Sequence, residues 1–119
     1  MSDFVRKTVN GNEYMFINHF RGNRSGFVHE TELFKNDRLI GSNKVQYYNR
    51  TWECYAFQTV MKGCVRELME EIENIYEMRY RTEHGIKRLT KEKRKVMEEE
   101  FYKNQPANYA ELVELYDML

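Results

Sequence analysis

The chain has 119 residues, of which 41% are hydrophobic and 14% aromatic. This length accommodates a single hydrophobic core, so we expect residues 1–119 to fold as one domain. The 19 basic residues balance the 19 acidic ones, and the formal net charge is zero. Composition therefore excludes a general electrostatic attraction to nucleic acid or to an anionic membrane. Any such attraction must come from local segregation of charge.

The N-terminal residues and the cysteines indicate the cellular compartment. The segment MSDFVRKTVNGNEY lacks the apolar run of a signal peptide, and no stretch of the chain approaches transmembrane length. Cys54 and Cys64 lie on one predicted helix, and ten helical residues span roughly 15 Å, too far for a disulfide. We therefore expect reduced thiols in a cytoplasmic protein without membrane association.

Residues 13–48 predict a three-stranded antiparallel meander. Aromatic and β-branched residues dominate residues 13–20 and 27–35, and a third strand-like segment covers 38–48. The turns are the segment RGNRSG, residues 21–26, and the pair Asn36-Asp37. Gly41 interrupts the alternation of the third segment and predicts a β-bulge.

Residues 51–84 predict one long helix. Thr51 is a suitable N-cap, and His84-Gly85 is a suitable end. Apolar residues recur at intervals of three and four, which predicts one buried face. That face comprises Cys54, Phe57, Met61, Cys64, Val65, Leu68, Ile72 and Ile75.

Residues 90–119 predict two further helices. Thr90 can cap the first, which extends to about Asn104, and Pro106 separates it from the second. Asn108 and Glu111 have the spacing of a capping box at the start of the last helix. The predicted fold class is therefore α+β: a three-stranded antiparallel β-meander packed on a long helix and followed by two C-terminal helices.

The sequence offers no residue set for catalysis. His19 and His29 fall on neighbouring predicted strands, where they can approach each other, but no Cys, Asp or Glu accompanies them at metal-ligand spacing. Glu30 and Glu32 share one strand face, and a solvated face explains them better than an acid–base pair. We therefore expect no enzymatic activity, no cofactor and no metal.

Charge is segregated along the helical half of the chain. An acidic stretch over residues 67–77 precedes residues 79–95, which carry eight basic and two acidic side chains, a net charge of +6. Two interpretations remain open: a basic elbow that binds nucleic-acid phosphates, or antiparallel helices that pair their charges. The candidate nucleic-acid contacts are Arg79, Arg81, Lys87, Arg88, Lys91, Arg94 and Lys95.

Aromatic residues cluster where the third strand meets the long helix. On a helical wheel, Trp52 and Tyr55 lie opposite the apolar face and share their side with Lys62 and Arg66. Trp, Tyr and Arg are enriched at protein-binding hot spots, although first-turn residues can also fold back into a core corner. The candidate protein contacts are Tyr48, Arg50, Trp52, Tyr55, Lys62 and Arg66.

The segment YYNRTWECYAFQTVM resembles a strand-to-helix motif of small uncharacterised proteins from phages and mobile elements of Gram-positive bacteria. The resemblance covers residues 41–68, about a quarter of the chain, and its most specific part is YYNRTWE. It implies a location in the bacterial host cytoplasm and a function like that of anti-CRISPR proteins, which bind a Cas nuclease without doing chemistry. Inhibitors that mimic DNA are strongly acidic, whereas this chain is neutral.

Two functions of different class follow. The first is a non-enzymatic interaction protein that inhibits host defence by binding a Cas nuclease or its RNA complex. The second is a small nucleic-acid-binding module that uses the basic elbow and exposed aromatic residues. The sequence leaves the oligomeric state open.

Overall fold

The computed structural model describes residues 2–48 and 57–119, with the backbone alone for Ser2 and Phe57. A four-stranded antiparallel sheet in the order β1-β2-β3-β4 packs against three helices. The elements are β1 Ser2–Val9, β2 Asn12–Asn23, β3 Gly26–Lys35, β4 Arg38–Tyr47, α1 Phe57–Glu83, α2 Lys91–Lys103 and α3 Ala107–Met118. The predicted α+β class is confirmed, and the count of three strands is wrong by one. Within the described residues, no helix has the length and apolarity needed to cross a membrane.

The strand missing from the sequence prediction is β1. It pairs with β2 through a two-residue hairpin at Asn10 and Gly11, whose φ angles are 49° and 78°. These left-handed values are those of a tight hairpin turn, and Asn-Gly is its most specific sequence signal. The strand itself gives a weak apolar signal because it lies at the edge of the sheet. Only Val5 and Val9 belong to its hydrophobic packing.

The other features of the meander follow the prediction. Asn36 and Asp37 form the reversal between β3 and β4, with φ angles of 48° and 67°. The register shifts between Leu33 and Phe34, since Leu33 pairs with Gly41 while Phe34 pairs with Leu39. The irregularity therefore lies beside Gly41, as predicted, and it adds one residue to β4.

The core fills the space between one face of the sheet, the inner face, and helices α1 and α3. It is formed by Val9, Tyr14, Phe16, Leu33, Met61, Cys64, Val65, Leu112 and Leu115. Leu68 and Ile72 pack against this cluster, whereas Ile75 is 51% exposed, so its assignment to the buried face is wrong. Ile75 is exposed because α1 extends beyond the sheet after Ile72. The side chains of Cys54 and Phe57 and the proposed cap Thr51 lie outside the described part of the chain.

Cys64 is a free thiol in the centre of this core. Burial, helped by the nearby charge of Glu67, raises the pKa of the thiol to about 12. Cys64 is thus the reduced, buried thiol expected from the sequence, while Cys54 lies outside the described residues.

The far end of α1 has a built C-cap. Gly85 has φ 63°, Ile86 N donates to Arg81 O at 2.8 Å, and Gly85 N donates to Thr82 O at 3.4 Å. This pair of hydrogen bonds is a Schellman motif, which confirms the predicted helix end at His84-Gly85. Helix α2 follows, and Lys93 N donates to the side chain of its N-cap Thr90, as predicted.

The start of α3 differs from the predicted capping box. The N-cap is Pro106, whose side chain makes no capping hydrogen bond, and Asn108 lies inside the first turn, where its Oδ1 accepts from Tyr109 N at 3.0 Å. Glu111 turns inward instead and accepts hydrogen bonds from Asn12 at 2.7 Å and from the Tyr14 hydroxyl at 2.9 Å. Burial opposes ionisation of Glu111, but these two bonds and nearby Lys35 outweigh it and lower the pKa of the carboxyl. The partners come from β2, so local spacing could not reveal them.

Candidate functional site

The predicted protein-contact residues are only partly within the described chain. Tyr48 follows β4 and is 79% exposed. Lys62 and Arg66 lie one turn apart on α1. Arg50, Trp52 and Tyr55 fall in the segment outside the described residues, so the position of Trp52 and Tyr55 opposite the core stays a prediction.

Lys62 and Arg66 converge on an aromatic ring that the sequence did not suggest. Lys62 Nζ lies 5.2 Å and Arg66 Cζ 5.3 Å from the centre of the Tyr116 ring on α3. Arg66 also donates a hydrogen bond of 3.3 Å to the Tyr116 hydroxyl, which lowers the pKa of that hydroxyl. The result is a pair of cations on one aromatic ring between α1 and α3, with Glu70 and Glu73 close to Arg66.

The basic residues predicted to contact nucleic acid gather at the opposite end of α1, around its C-cap and the start of α2. Arg79, Lys87, Arg88, Lys91 and Lys95 are exposed. Two members of the set have structural roles. Arg81 donates to Lys87 O within the connecting loop, and Arg94 pairs with Glu77 at 2.9 Å. The structure thus places a basic elbow at this end and pairs charge between the helices at Arg94.

A cleft of about 250 Å³ separates α1 from α2 near this elbow. Three aromatic side chains line it, Tyr76, Phe101 and Tyr102, together with carboxylates. Glu73 accepts a hydrogen bond from Tyr109, and Glu77 is held by Arg94. These carboxylates are engaged within the fold, so the cleft is explained as an incompletely filled helix seam.

The outer face of the sheet carries apolar side chains that the helices leave uncovered. Phe4 lies directly opposite Ile17, and Phe34 lies opposite both Met15 and Leu39. Phe4 is 59% and Leu39 53% exposed, and the other three are half-buried. Met15 and Ile17 are neighbours on one face of β2, so the five side chains form a stepped apolar strip across all four strands, with Glu32 opposite Ile17 and Arg6 opposite Met15. We call these five residues the outer strip.

Polar residues border the outer strip on one side. His19 Nε2 lies 2.8 Å from Glu32 Oε1, and Glu30 stands between His19 and Lys44 in the strand register. An apolar centre with a charged border is the usual anatomy of a protein–protein interface. The outer strip therefore differs in composition from an ordinary solvated sheet face.

The two strand histidines point to opposite faces and do not approach each other. His29 is fully buried on the inner face, where its Nε2 lies 2.8 Å from Asn18 Oδ1. Thr31 donates to the same Asn18 oxygen at 2.5 Å. The suggested contact between His19 and His29 is therefore wrong, because residues 19 and 29 fall in opposite phases of neighbouring strands. No group of side chains in the described part of the chain has the composition of a metal site.

One feature of the sequence predicts the outer strip, namely an uninterrupted run of apolar residues in β2. Tyr14, Met15, Phe16 and Ile17 are four consecutive large apolar residues in one strand. Because successive strand residues point to opposite faces, such a run makes both faces apolar. In the described part of the chain, helices cover only one face of this sheet.

Comparisons with known proteins return no relative from which a function could be transferred. The chain matches no family model, and neither a curated protein nor a solved structure matches it. Function must therefore be argued from the surfaces themselves.

Proposed function

We propose that this protein is a non-enzymatic interaction protein of phage or mobile-element origin that inhibits host defence by binding a Cas nuclease. The observation that carries the proposal is the outer strip, an apolar surface across all four strands that no described helix covers. Large exposed apolar patches on small proteins are commonly binding sites.

The charge around the outer strip favours a protein over a nucleic acid as its occupant. Glu30, Glu32 and Lys44 lie on one side of the strip, and Arg6 lies opposite Met15, so the face has mixed charge. A phosphate backbone requires a net positive surface, which the two carboxylates on this face oppose. A folded protein with an apolar patch and charges of both signs complements this face.

Two further observations support a nuclease–RNA complex as the partner. The YYNRTWE segment resembles proteins of phages and mobile elements, whose small interaction proteins include nuclease inhibitors. The basic elbow lies beyond the sheet, and about 25–30 Å of α1 separates Lys62 from Arg81. One face can thus contact the protein while the elbow reaches bound guide RNA.

The test uses purified Cas nucleases from Gram-positive bacteria, each with and without guide RNA. We expect co-elution with at least one of them and inhibition of its DNA cleavage. The variant Leu39→Asp should weaken binding at least tenfold, because it places a charge on an exposed side chain of the apolar strip. The matched control Ser25→Asp adds the same charge in the exposed β2–β3 turn and should bind normally. Absence of binding to every nuclease tested contradicts the proposal.

A second function, nucleic-acid binding, is favoured by one specific observation: five exposed cations of the predicted set lie around the end of α1 and the start of α2. The triple variant Arg88→Gln, Lys91→Gln and Lys95→Gln spares Arg94, whose ion pair joins the two helices. If the elbow binds phosphates, this variant should lose retention on single-stranded oligonucleotides and flatten the salt dependence of binding. A parent protein that is not retained at low salt eliminates this function.

A further inference from the structure

The edge strand β1 exposes one side of its backbone. It pairs with β2 on one side, and no other described strand adjoins its second side. Val9 and Asn12 close the two-residue hairpin, so the amides of the odd-numbered residues face β2. Phe4 N independently confirms the alternation, because it donates to the Asp3 side chain at 2.9 Å and not to β2. The backbone groups of Phe4, Arg6 and Thr8 therefore point outward from the sheet.

In β1, an acidic and an aromatic side chain precede Val5, and two basic side chains follow it. Asp3 and Phe4 precede it, and Arg6 and Lys7 follow it. Asp3, Val5 and Lys7 point to the inner face, whereas Phe4 and Arg6 point to the outer face. An antiparallel copy of the same strand, centred on Val5, therefore meets its own complement.

We propose that two copies of this chain associate through their β1 strands in antiparallel orientation, with the two-fold axis at Val5. Asp3 then lies opposite Lys7 of the partner subunit, and Phe4 lies opposite Arg6 of the partner subunit. The first pair is an ion pair and the second a cation–π contact, and the two-fold axis makes each of them twice. The two four-stranded sheets become one continuous sheet. This inference is independent of the proposed function.

Hydrogen bonding agrees with this register. Opposite residues exchange hydrogen bonds only when both have outward-facing backbone groups, and Phe4 and Arg6 both do. The Asp3 side chain, which caps Phe4 N in the single chain, is then released to meet Lys7 of the partner subunit. The existing ion pair of Arg6 with Glu13, at 3.6 Å, is largely exposed and offers little competition.

The neighbouring allowed registers lack this complementarity. A shift that centres the axis on Arg6 places two arginines opposite each other, and a shift to Phe4 removes Asp3 from Lys7 of the partner subunit. The other sheet edge, β4, is less suited to pairing because of the irregularity beside Gly41, which bends the strand. Sequence and geometry thus select one edge and one register.

The proposal is tested by sedimentation equilibrium of the full chain over a wide concentration range. We expect a reversible species of twice the 14.6 kDa chain mass. Asp3→Lys and Lys7→Asp should each weaken the dimer about tenfold, because each variant turns two attractive pairs into two repulsive ones. The double variant Asp3→Lys/Lys7→Asp restores opposite charges and should restore the dimer. A monomeric parent, or a double variant as weak as the single ones, overturns the proposal.

A disulfide provides a second measurement of the register. Val5→Cys places two thiols at the two-fold axis, where the Cα atoms of a non-hydrogen-bonded pair lie about 4.5 Å apart, within disulfide range. Mild oxidation should therefore cross-link this variant into a dimer. Phe4→Cys is the matched control, because its two thiols sit diagonally, with Cα atoms more than about 7 Å apart. Cross-linking of Phe4→Cys in preference to Val5→Cys contradicts the register.

Discussion

Residues on the two faces of the sheet have different structural roles. On the inner face, β2 and β3 contribute a buried polar group of Asn18, His29 and Thr31 in addition to their aromatic residues. The three side chains hydrogen-bond one another, which offsets the cost of removing them from water. Phe20 stacks on the His29 ring at 4.7 Å and completes its enclosure.

His29 makes stability depend on pH. Burial lowers the pKa of His29 from 6.5 to about 4, so between these values the unfolded chain binds a proton that the folded chain does not. The contribution of His29 is complete above pH 6.5 and is lost as pH falls towards 4, a change of up to about 3 kcal/mol. We expect urea unfolding to show this loss in the parent and not in His29→Leu.

His19 supplies the matched control for this titration. It is half-buried on the outer face, beside Glu32. His19→Leu leaves the buried group of Asn18, His29 and Thr31 unchanged, so this variant should keep the pH dependence that His29 causes. If His29→Leu retains the same slope as the parent, the buried histidine is not its source.

At the scale of elements, the sequence predicted what local chemistry determines. The α+β class, the Asn36-Asp37 reversal, the Thr90 cap and the Gly85 end all depend on residues adjacent in sequence, and all are confirmed. The failures involve tertiary partners. Glu111 has capping-box spacing but bonds to β2, and Ile75 continues the apolar period beyond the sheet that it would pack on. Spacing along the chain cannot report where a neighbouring element ends.

The candidate site shows the same division. Lys62 and Arg66 were selected by helical position, but Tyr116, which joins them, comes from a different helix. The outer strip could not be predicted in full from the sequence, because Phe4 belongs to β1, the strand that the sequence prediction missed. Interaction surfaces assembled from several elements are therefore the part of this molecule that the sequence predicted least well.

The C-cap of α1 can be tested by comparing alanine substitutions at two glycines. At Gly85 a side chain would meet no neighbouring atom within 4 Å, so only the left-handed φ of 63° disfavours one. We expect Gly85→Ala to lower the free energy of unfolding by about 1 kcal/mol. Gly22→Ala, also in open space but without a positive φ, should have no measurable cost. Equal stability of both variants in urea would show that the left-handed φ at residue 85 carries no cost for alanine.

The whole molecule is more extended than a compact domain of its length. Its Cα radius of gyration is 17.5 Å, against about 13.5 Å expected for 119 residues. The cause is α1, whose final turns leave the sheet and carry α2 with them. Met97 and Phe101 are the buried residues of α2, so this helix is anchored by few side chains. The acidic stretch of α1 and the basic elbow therefore lie along an elongated molecule whose net charge is zero.

The buried thiol of Cys64 allows the opening rate of the main core to be measured. A thiol with a pKa near 12 and no access to solvent cannot react with an alkylating reagent while α1 remains on the sheet. Its modification rate therefore equals the opening rate of the core whenever alkylation outpaces reclosing. Peptide mass spectrometry distinguishes Cys64 from Cys54 and follows that rate directly. We expect Leu33→Ala, which leaves a void in the same cluster, to accelerate modification of Cys64, and Leu39→Ala on the outer face to leave it unchanged.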